Sequence, residues 1–362
     1  MDHPPPARHL AALDGLRGAA CLLVLSGHFV GQVPERAPFL AHLFSQYWSG
    51  VDLFFVLSGF LIFRSLGRLA GPKGLRPGAV RAYGCARIFR IVPAYLLLVV
   101  SFLGFLWCSP ALGAGPPFIS TVPTWTYFVF AQSWWGAVHQ RAGSEYLNVT
   151  WSLCAEVFFY VLALLLWSKG PPRVWALAML VATSYVARLV VVFVWHNPVA
   201  AYLLPLCRMD GFFLGGIAAL AAARGRLPTF RTGAGRWLLL ALVLIYGLLI
   251  VEREQLSSLF SILFSYSFYA VFYTVLLAWG VGGGGRILAS GPLVGFGTIS
   301  YFVYLFQLPV LALVSVLVSD RLIWLGLSLA ILVSAGTVSW FIWERPLVRW
   351  GRRLGGRAEE RR

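Results

Sequence analysis

Long runs of Leu, Val, Ala, Phe and Trp alternate with short polar or glycine- and proline-containing breaks along almost the whole chain. A helix crossing a hydrocarbon core of about 30 Å needs roughly 20 apolar residues. Runs of that kind predict spans over 10–33, 48–66, 86–108, 149–168, 174–195, 199–223, 236–251, 257–280, 293–318 and 322–343. The expected fold class is therefore all-α, a polytopic membrane bundle of about ten transmembrane helices. A polar N-terminal tail over 1–9 and a basic cytoplasmic tail over 347–362 flank a membrane domain over 10–346. The stretch 107–148, rich in Gly, Pro and aromatics, reads as an outer loop with an interfacial segment around Tyr127 to Trp135 that could shape a substrate entrance.

Composition agrees with that pattern and excludes a soluble fold. Hydrophobic residues make up 59% of the 362 and charged ones 12%, with a mean hydropathy of +0.78. Basic residues outnumber acidic ones 29 to 13, and their placement assigns the excess to topology rather than to nucleic acid. Arg64, Arg68, Lys73, Arg76, Arg81, Arg87 and Arg90 crowd one connection. Lys169 and Arg173, then Arg224, Arg226, Arg231 and Arg236, then Arg286 mark every second loop after it. The positive-inside rule makes those loops cytoplasmic and puts both termini inside, in a multi-pass protein of the cytoplasmic membrane. Cys21, Cys85, Cys108, Cys154 and Cys207 lack the spacing of metal ligands and read as packing residues, so no metal site is expected.

Ionisable residues inside apolar spans cost about 2.5–3.5 kcal/mol each on insertion scales, which makes them functional candidates. Here they are Arg17, His28, Asp52, Glu156, Arg188, Arg208 and Asp210, some of which are expected to pair with one another. Arg17 and His28 lie about 20° beyond three whole turns apart, so they share one helix face at two depths, and Asp14 precedes Arg17 at ion-pair spacing. Counted from the outer ends of their spans, His28 lies roughly 7 Å deep, Asp52 about 6 Å and Glu156 about 10 Å. A neutral imidazole can take a proton from an alcohol, and a carboxylate on its other nitrogen would fix its tautomer. Either Asp52 or Glu156 could be that carboxylate. Ser58 lacks a nucleophile elbow around it, and the Ser58–Gly59 pair reads as helix packing. Arg87 and Arg90, entering the third span beside Pro93 and Tyr95, are suited to phosphate recognition.

Several blocks together resemble the acyltransferase 3 family of membrane O-acyltransferases. Leu13-Asp14-Gly15-Leu16-Arg17-Gly18 followed by His28 is similar to its opening signature, and Gly50 to Ile62, reading GVDLFFVLSGFLI, to its second block. Arg87 to Tyr95, Trp151-Ser152-Leu153 with Glu156, Phe159 and Tyr160, Ile299-Ser300-Tyr301 with Tyr304-Leu305, and Glu344-Arg345-Pro346 resemble the remaining blocks, in order. The resemblance implies a ten-helix core, acyl-CoA as co-substrate with no permanently bound cofactor, and O-acylation of a sugar, glycan or glycosylated natural product. It also carries the family's essential Arg and His over to Arg17 and His28. Where the family often has His in the ninth span, this chain has Gln307, which cannot act as a base.

The resulting expectation places the donor's phosphates near Arg17, Arg87 and Arg90 and makes His28 the general base, oriented by Glu156 or Asp52. Ser152, Tyr301 and Gln307 would help place the reacting groups. Besides acyl-CoA, the expected partners are the hydroxyl-bearing acceptor and membrane lipids. The competing reading is a carrier or flippase for a lipid-linked or glycosidic substrate that uses the same charges for binding.

Overall fold

The computed structural model describes residues 11–30, 47–112, 121–141, 143–227, 237, 240–246, 261–284 and 287–356. Both chain ends and half of the expected span 236–251 lie outside them. The architecture is a helix bundle. Its helices are α1 (Ala11–Val30), α2 (Gly50–Leu69), α3 (Ala79–Leu112), α4 (Gln132–His139), α5 (Trp151–Trp167), α6 (Val174–Leu189), α7 (Pro198–Leu203), α8 (Asp210–Ala223), α9 (Tyr266–Trp279), α10 (Gly291–Leu317), α11 (Arg321–Ser339) and α12 (Arg345–Leu354). Between α2 and α3, β1 (Ala70–Gly71) pairs antiparallel with β2 (Gly74–Leu75) in a minimal hairpin. Among the described residues, seven helical stretches are long and apolar enough to cross a membrane: 50–69, 79–108, 146–167, 174–194, 262–282, 291–317 and 321–354.

Glycine sets the closest helix contacts, because a missing Cβ lets backbones approach where no hydrophobic force drives helices together in lipid. A Cβ on Gly18 would stand 2.2 Å from the Leu293 carbonyl oxygen, and one on Gly297 1.9 Å from that of Asp14. Those contacts lock the first half of α1 against the first half of α10, with the two helices running in the same direction. A Cβ on Gly59 would stand 2.0 Å from the Phe212 carbonyl oxygen and one on Gly215 2.1 Å from that of Val56, so these glycines seat α8 alongside α2. The core around these seams is aromatic, with Phe55 and Phe159 both stacked on Phe212 at 4.5 Å.

Three boundaries differ from those expected. The span 199–223 is not one helix: α7 stops at Leu203, a single tight turn covers Pro205–Arg208, and α8 starts at Asp210. Pro205 has no N–H to continue the ladder and disfavours helical backbone at Leu204, whose ψ of 121° is extended. Helix α3 starts at Ala79, so most of the basic run from Arg81 onward is helical. The segment 347–354 belongs to α12, which lies on α3 with Gly351 against Phe89 and Trp350 edge-on to that ring at 4.9 Å.

Candidate active site

A cavity of about 730 Å³, including its open mouth, lies inside the bundle between α1, α2, α3, α5 and α10. Its polar lining is Arg17, Ser58, Arg87, Arg90, Ser152, Glu156, Ser300, Tyr301 and Tyr304. At 1.5 Å per residue, Arg17, Ser58, Arg87, Arg90, Glu156 and Tyr301 stand about 9–17 Å from the helix ends Ala11, Leu69, Ala79, Trp167 and Gly291. All these ends lie on the side of the β1–β2 hairpin. These polar groups thus form one layer, although they come from five helices spread over the chain.

Helical spacing explains why each side chain points inward. Arg87, Arg90 and Ile91 occupy one stripe of α3, three and four residues apart, and Ser152 and Glu156 one stripe of α5. Arg17 is held by Asp14 at 3.0 Å, one turn earlier on α1. Arg87 lies over the rings of Tyr83 and Tyr160, 5.4 and 5.3 Å from their centroids, which supports a buried guanidinium without neutralising it. Glu156 accepts hydrogen bonds from Ser58 Oγ at 2.8 Å and Tyr160 Oη at 2.6 Å. Arg17 also feels the charges of Arg90, Arg87 and Glu156. Three guanidinium groups therefore face one carboxylate on the lining, and the cavity is electropositive.

Of the residues singled out from sequence, Arg17, Arg87, Arg90, Ser152, Glu156 and Tyr301 come together on this lining. Ser152 Oγ is hydrogen-bonded to the Val149 carbonyl at 3.0 Å and to Tyr304 Oη at 2.7 Å, while Tyr301 Oη donates to the Ile91 carbonyl at 2.7 Å. Gln307 is fully buried one turn beyond Tyr304, whose carbonyl accepts from its Nε2 at 3.0 Å; it is not part of the lining. His28 sits half-buried near the far end of α1, about 16.5 Å along the helix axis from Arg17, and is also outside the lining.

Neither carboxylate proposed to orient His28 is bonded to it. Glu156 is engaged by Ser58 and Tyr160, and Asp52 by Arg208 at 2.8 Å, both side chains being almost completely buried. Beside that pair, Arg188 donates to Asp210 at 3.0 Å, to the Cys207 carbonyl at 2.7 Å and to Ser267. The ring of Tyr266 lies 3.6 Å from Arg208 Cζ. This ion-pair cluster sits at the break between α7 and α8 and ties it to α2, α6 and α9, so Asp52 belongs to the framework.

Sequence reasoning missed Ser58 as a site residue. The Ser58–Gly59 pair divides its work: Gly59 makes the helix contact with Phe212, and the Ser58 hydroxyl faces the cavity. The signal was present in spacing, since the two adjacent residues point about 100° apart on a helix. Tyr304 was noted only within a motif, although it lies three residues beyond Tyr301 on the same face.

A helix bundle with long apolar spans and a charged internal cavity is the design of a membrane protein that acts on a substrate within its transmembrane core. The chain belongs to the acyltransferase 3 family: that family's model, described as an acyltransferase domain, matches residues 10–344. A curated relative, "Protein 2 in picA locus" of Rhizobium radiobacter, is 32% identical over 120 residues, covering 32% of this chain and 56% of that protein. The chain thus spans little more than half the length of that relative. No solved structure matches. The protein is accordingly a multi-pass membrane protein of that family.

Proposed function

We propose that the protein moves a short acyl group from acyl-CoA to a hydroxyl of a sugar, glycan or glycosylated natural product. The observation that carries this reading is the electropositive layer of Arg17, Arg87 and Arg90 on one internal cavity. A polyanionic thioester needs such a layer to carry its phosphates into a membrane domain, and Arg matches phosphate geometry. Cation-rich connections at the hairpin side favour that side as cytoplasmic, where the donor is found. The cavity extends from the guanidinium layer to Ser152, Tyr304 and Val51, near the opposite ends of α5 and α2. The pantetheine arm would lie along that direction, toward the end of α1 that carries His28.

In the reaction, the acceptor oxygen forms a bond to the thioester carbonyl carbon as the C–S bond breaks. His28 takes the hydroxyl proton and returns it to the departing thiolate, giving the ester and free CoA. No acyl-enzyme is required. Glu156, held by Ser58 and Tyr160, balances the guanidinium charges rather than orienting the base.

The test is transfer of labelled acetyl from acetyl-CoA by the purified full-length protein, compared with His28→Ala. The variant is expected to insert and accumulate normally but to lose transfer. Wild-type turnover in His28→Ala would remove His28 from the reaction. Movement of a glycoside across vesicles without any acyl donor would instead favour a carrier.

A further inference from the structure

Helix α12 continues the last membrane-crossing stretch through one wide turn over Trp340–Glu344. Residues 321–354 make about 51 Å of helix at 1.5 Å per residue, well beyond a hydrocarbon core of about 30 Å. Counted from Arg321, about 20 residues fill that core, so α12 begins at the level of the headgroups. Its neighbours place that level on the hairpin side, because Gly351 and Gly355 pack on Phe89 and Ala82 in the first three turns of α3.

The rest of the α12 surface divides into two sectors. At 100° per residue, Arg345, Arg349, Arg352 and Arg353 fall within an arc of about 100°, and Pro346, Trp350 and Leu354 within the next arc of about 80°. Arg349, Arg353, Trp350 and Leu354 are exposed. The glycine contacts with α3 and the edge-on packing of Trp350 on Phe89 at 4.9 Å hold both sectors in a fixed orientation. We infer that α12 is a docking surface for an anionic phospholipid of the leaflet on the hairpin side, its headgroup phosphate held by Arg349 and Arg353. This goes beyond the acyl-transfer reading and does not depend on it.

Charge, level and segregation select that occupant. Neither Arg349 nor Arg353 has an ion-pair partner among the described residues, and a guanidinium donates in parallel to two phosphate oxygens. Clustered cations directly beyond a membrane-crossing helix draw anionic headgroups. An exposed Trp settles at the boundary between acyl chains and headgroups, so Trp350 brings Arg349 to the phosphates, with Arg353 one turn farther out. Topology alone asks for cations somewhere in the segment, not for their confinement to one side of a helix whose other exposed side is apolar. A soluble polyanion would cover the arginines and leave that apolar side bare.

The experiment reconstitutes the full-length protein in phosphatidylcholine vesicles containing a small fraction of photoactivatable phosphatidylglycerol or, in parallel, photoactivatable phosphatidylcholine. Crosslinks are mapped by mass spectrometry of the peptides from α12 and the start of α3. The phosphatidylglycerol probe is expected to label these peptides about tenfold or more above the phosphatidylcholine probe, and unlabelled phosphatidylglycerol to compete. Arg349→Gln with Arg353→Gln should bring its labelling down to the phosphatidylcholine level, whereas Arg349→Lys with Arg353→Lys should keep the preference. Unchanged labelling by phosphatidylcholine in the glutamine variant shows that α12 is still in place. Equal labelling by the two probes in the unaltered protein overturns the inference, as does a preference that survives the glutamine substitutions. Displacement by heparin but not by unlabelled phosphatidylglycerol also overturns it and assigns the stripe to a soluble acidic partner. No acyl donor is present, so the outcome is independent of whether the protein transfers acetyl groups.

Discussion

Removing the carboxylate of Asp52 should damage the fold far more than the removal of a few atoms suggests. Asp52 and Arg208 are 1% exposed each, and their 2.8 Å contact joins α2 to the break before α8. Asp52→Ala leaves a guanidinium in the bundle interior with aromatic rings for company, Tyr266 nearest at 3.6 Å. Two of its nitrogens, Nε and Nη1, already lack hydrogen-bond acceptors, and the other carboxylate that acts on it, Asp210, is held by Arg188 and Ser267. Breaking one side of a buried pair costs on the order of 3–5 kcal/mol. At about 2–4 °C per kcal/mol, the unfolding midpoint should fall by roughly 6–20 °C. The assay is thermal unfolding of detergent-purified protein, followed by a thiol-reactive dye that reports exposure of the buried Cys21, Cys154 and Cys207. Replacing both partners, Asp52→Leu with Arg208→Met, should recover more than half of the loss, because an apolar pair has no stranded charge. The reasoning is refuted if Asp52→Ala unfolds within about 2 °C of wild type, or if the double variant is as unstable as the two single losses added.

Other expectations concern the cavity and the helix seams. Arg90→Ala should raise KM for acetyl-CoA by about tenfold or more with little change in kcat, as loss of uniform donor binding requires, and initial-rate kinetics would show it. Tyr160→Phe deletes the 2.6 Å hydrogen bond to Glu156 and should lower stability by about 1–3 kcal/mol, read from the same unfolding assay. Gly297→Ala places a Cβ 1.9 Å from the Asp14 carbonyl oxygen; forcing α1 from α10 should cost at least about 1–3 kcal/mol and lower the yield of folded protein.

What could be read from sequence was what a single helix fixes. The pair Arg87 and Arg90 and the pair Ser152 and Glu156 follow from 3.6-residue spacing, and the structure turns both to one cavity; of the Arg17 and His28 stripe, only Arg17 reaches it. Partners across helices were not legible. Asp52 and Arg208 are 156 positions apart, and depth estimates from span ends carry errors as large as the differences between His28, Asp52 and Glu156. Sequence pointed to carboxylates at matching depth but not to which cation each would meet. The break at Pro205 carried a clear signal, a proline with Arg208 and Asp210 just beyond it, yet the continuous apolar run outweighed it. The docking of α12 on α3 depends on Gly351 facing Phe89, a contact that hydropathy does not encode.

The central claim is that the Arg17, Arg87 and Arg90 cavity receives the acyl donor, and protection of a thiol placed inside it tests this most directly. In the full-length protein carrying Cys85→Ser, Cys108→Ser and Ser58→Cys, modification of the thiol at position 58 by a small reagent would be followed with increasing acetyl-CoA. Modification should slow with a half-maximal concentration that matches the KM for acetyl-CoA of the same variant, and Arg90→Ala should shift both together. A modification rate that stays constant while transfer saturates with donor would contradict the account.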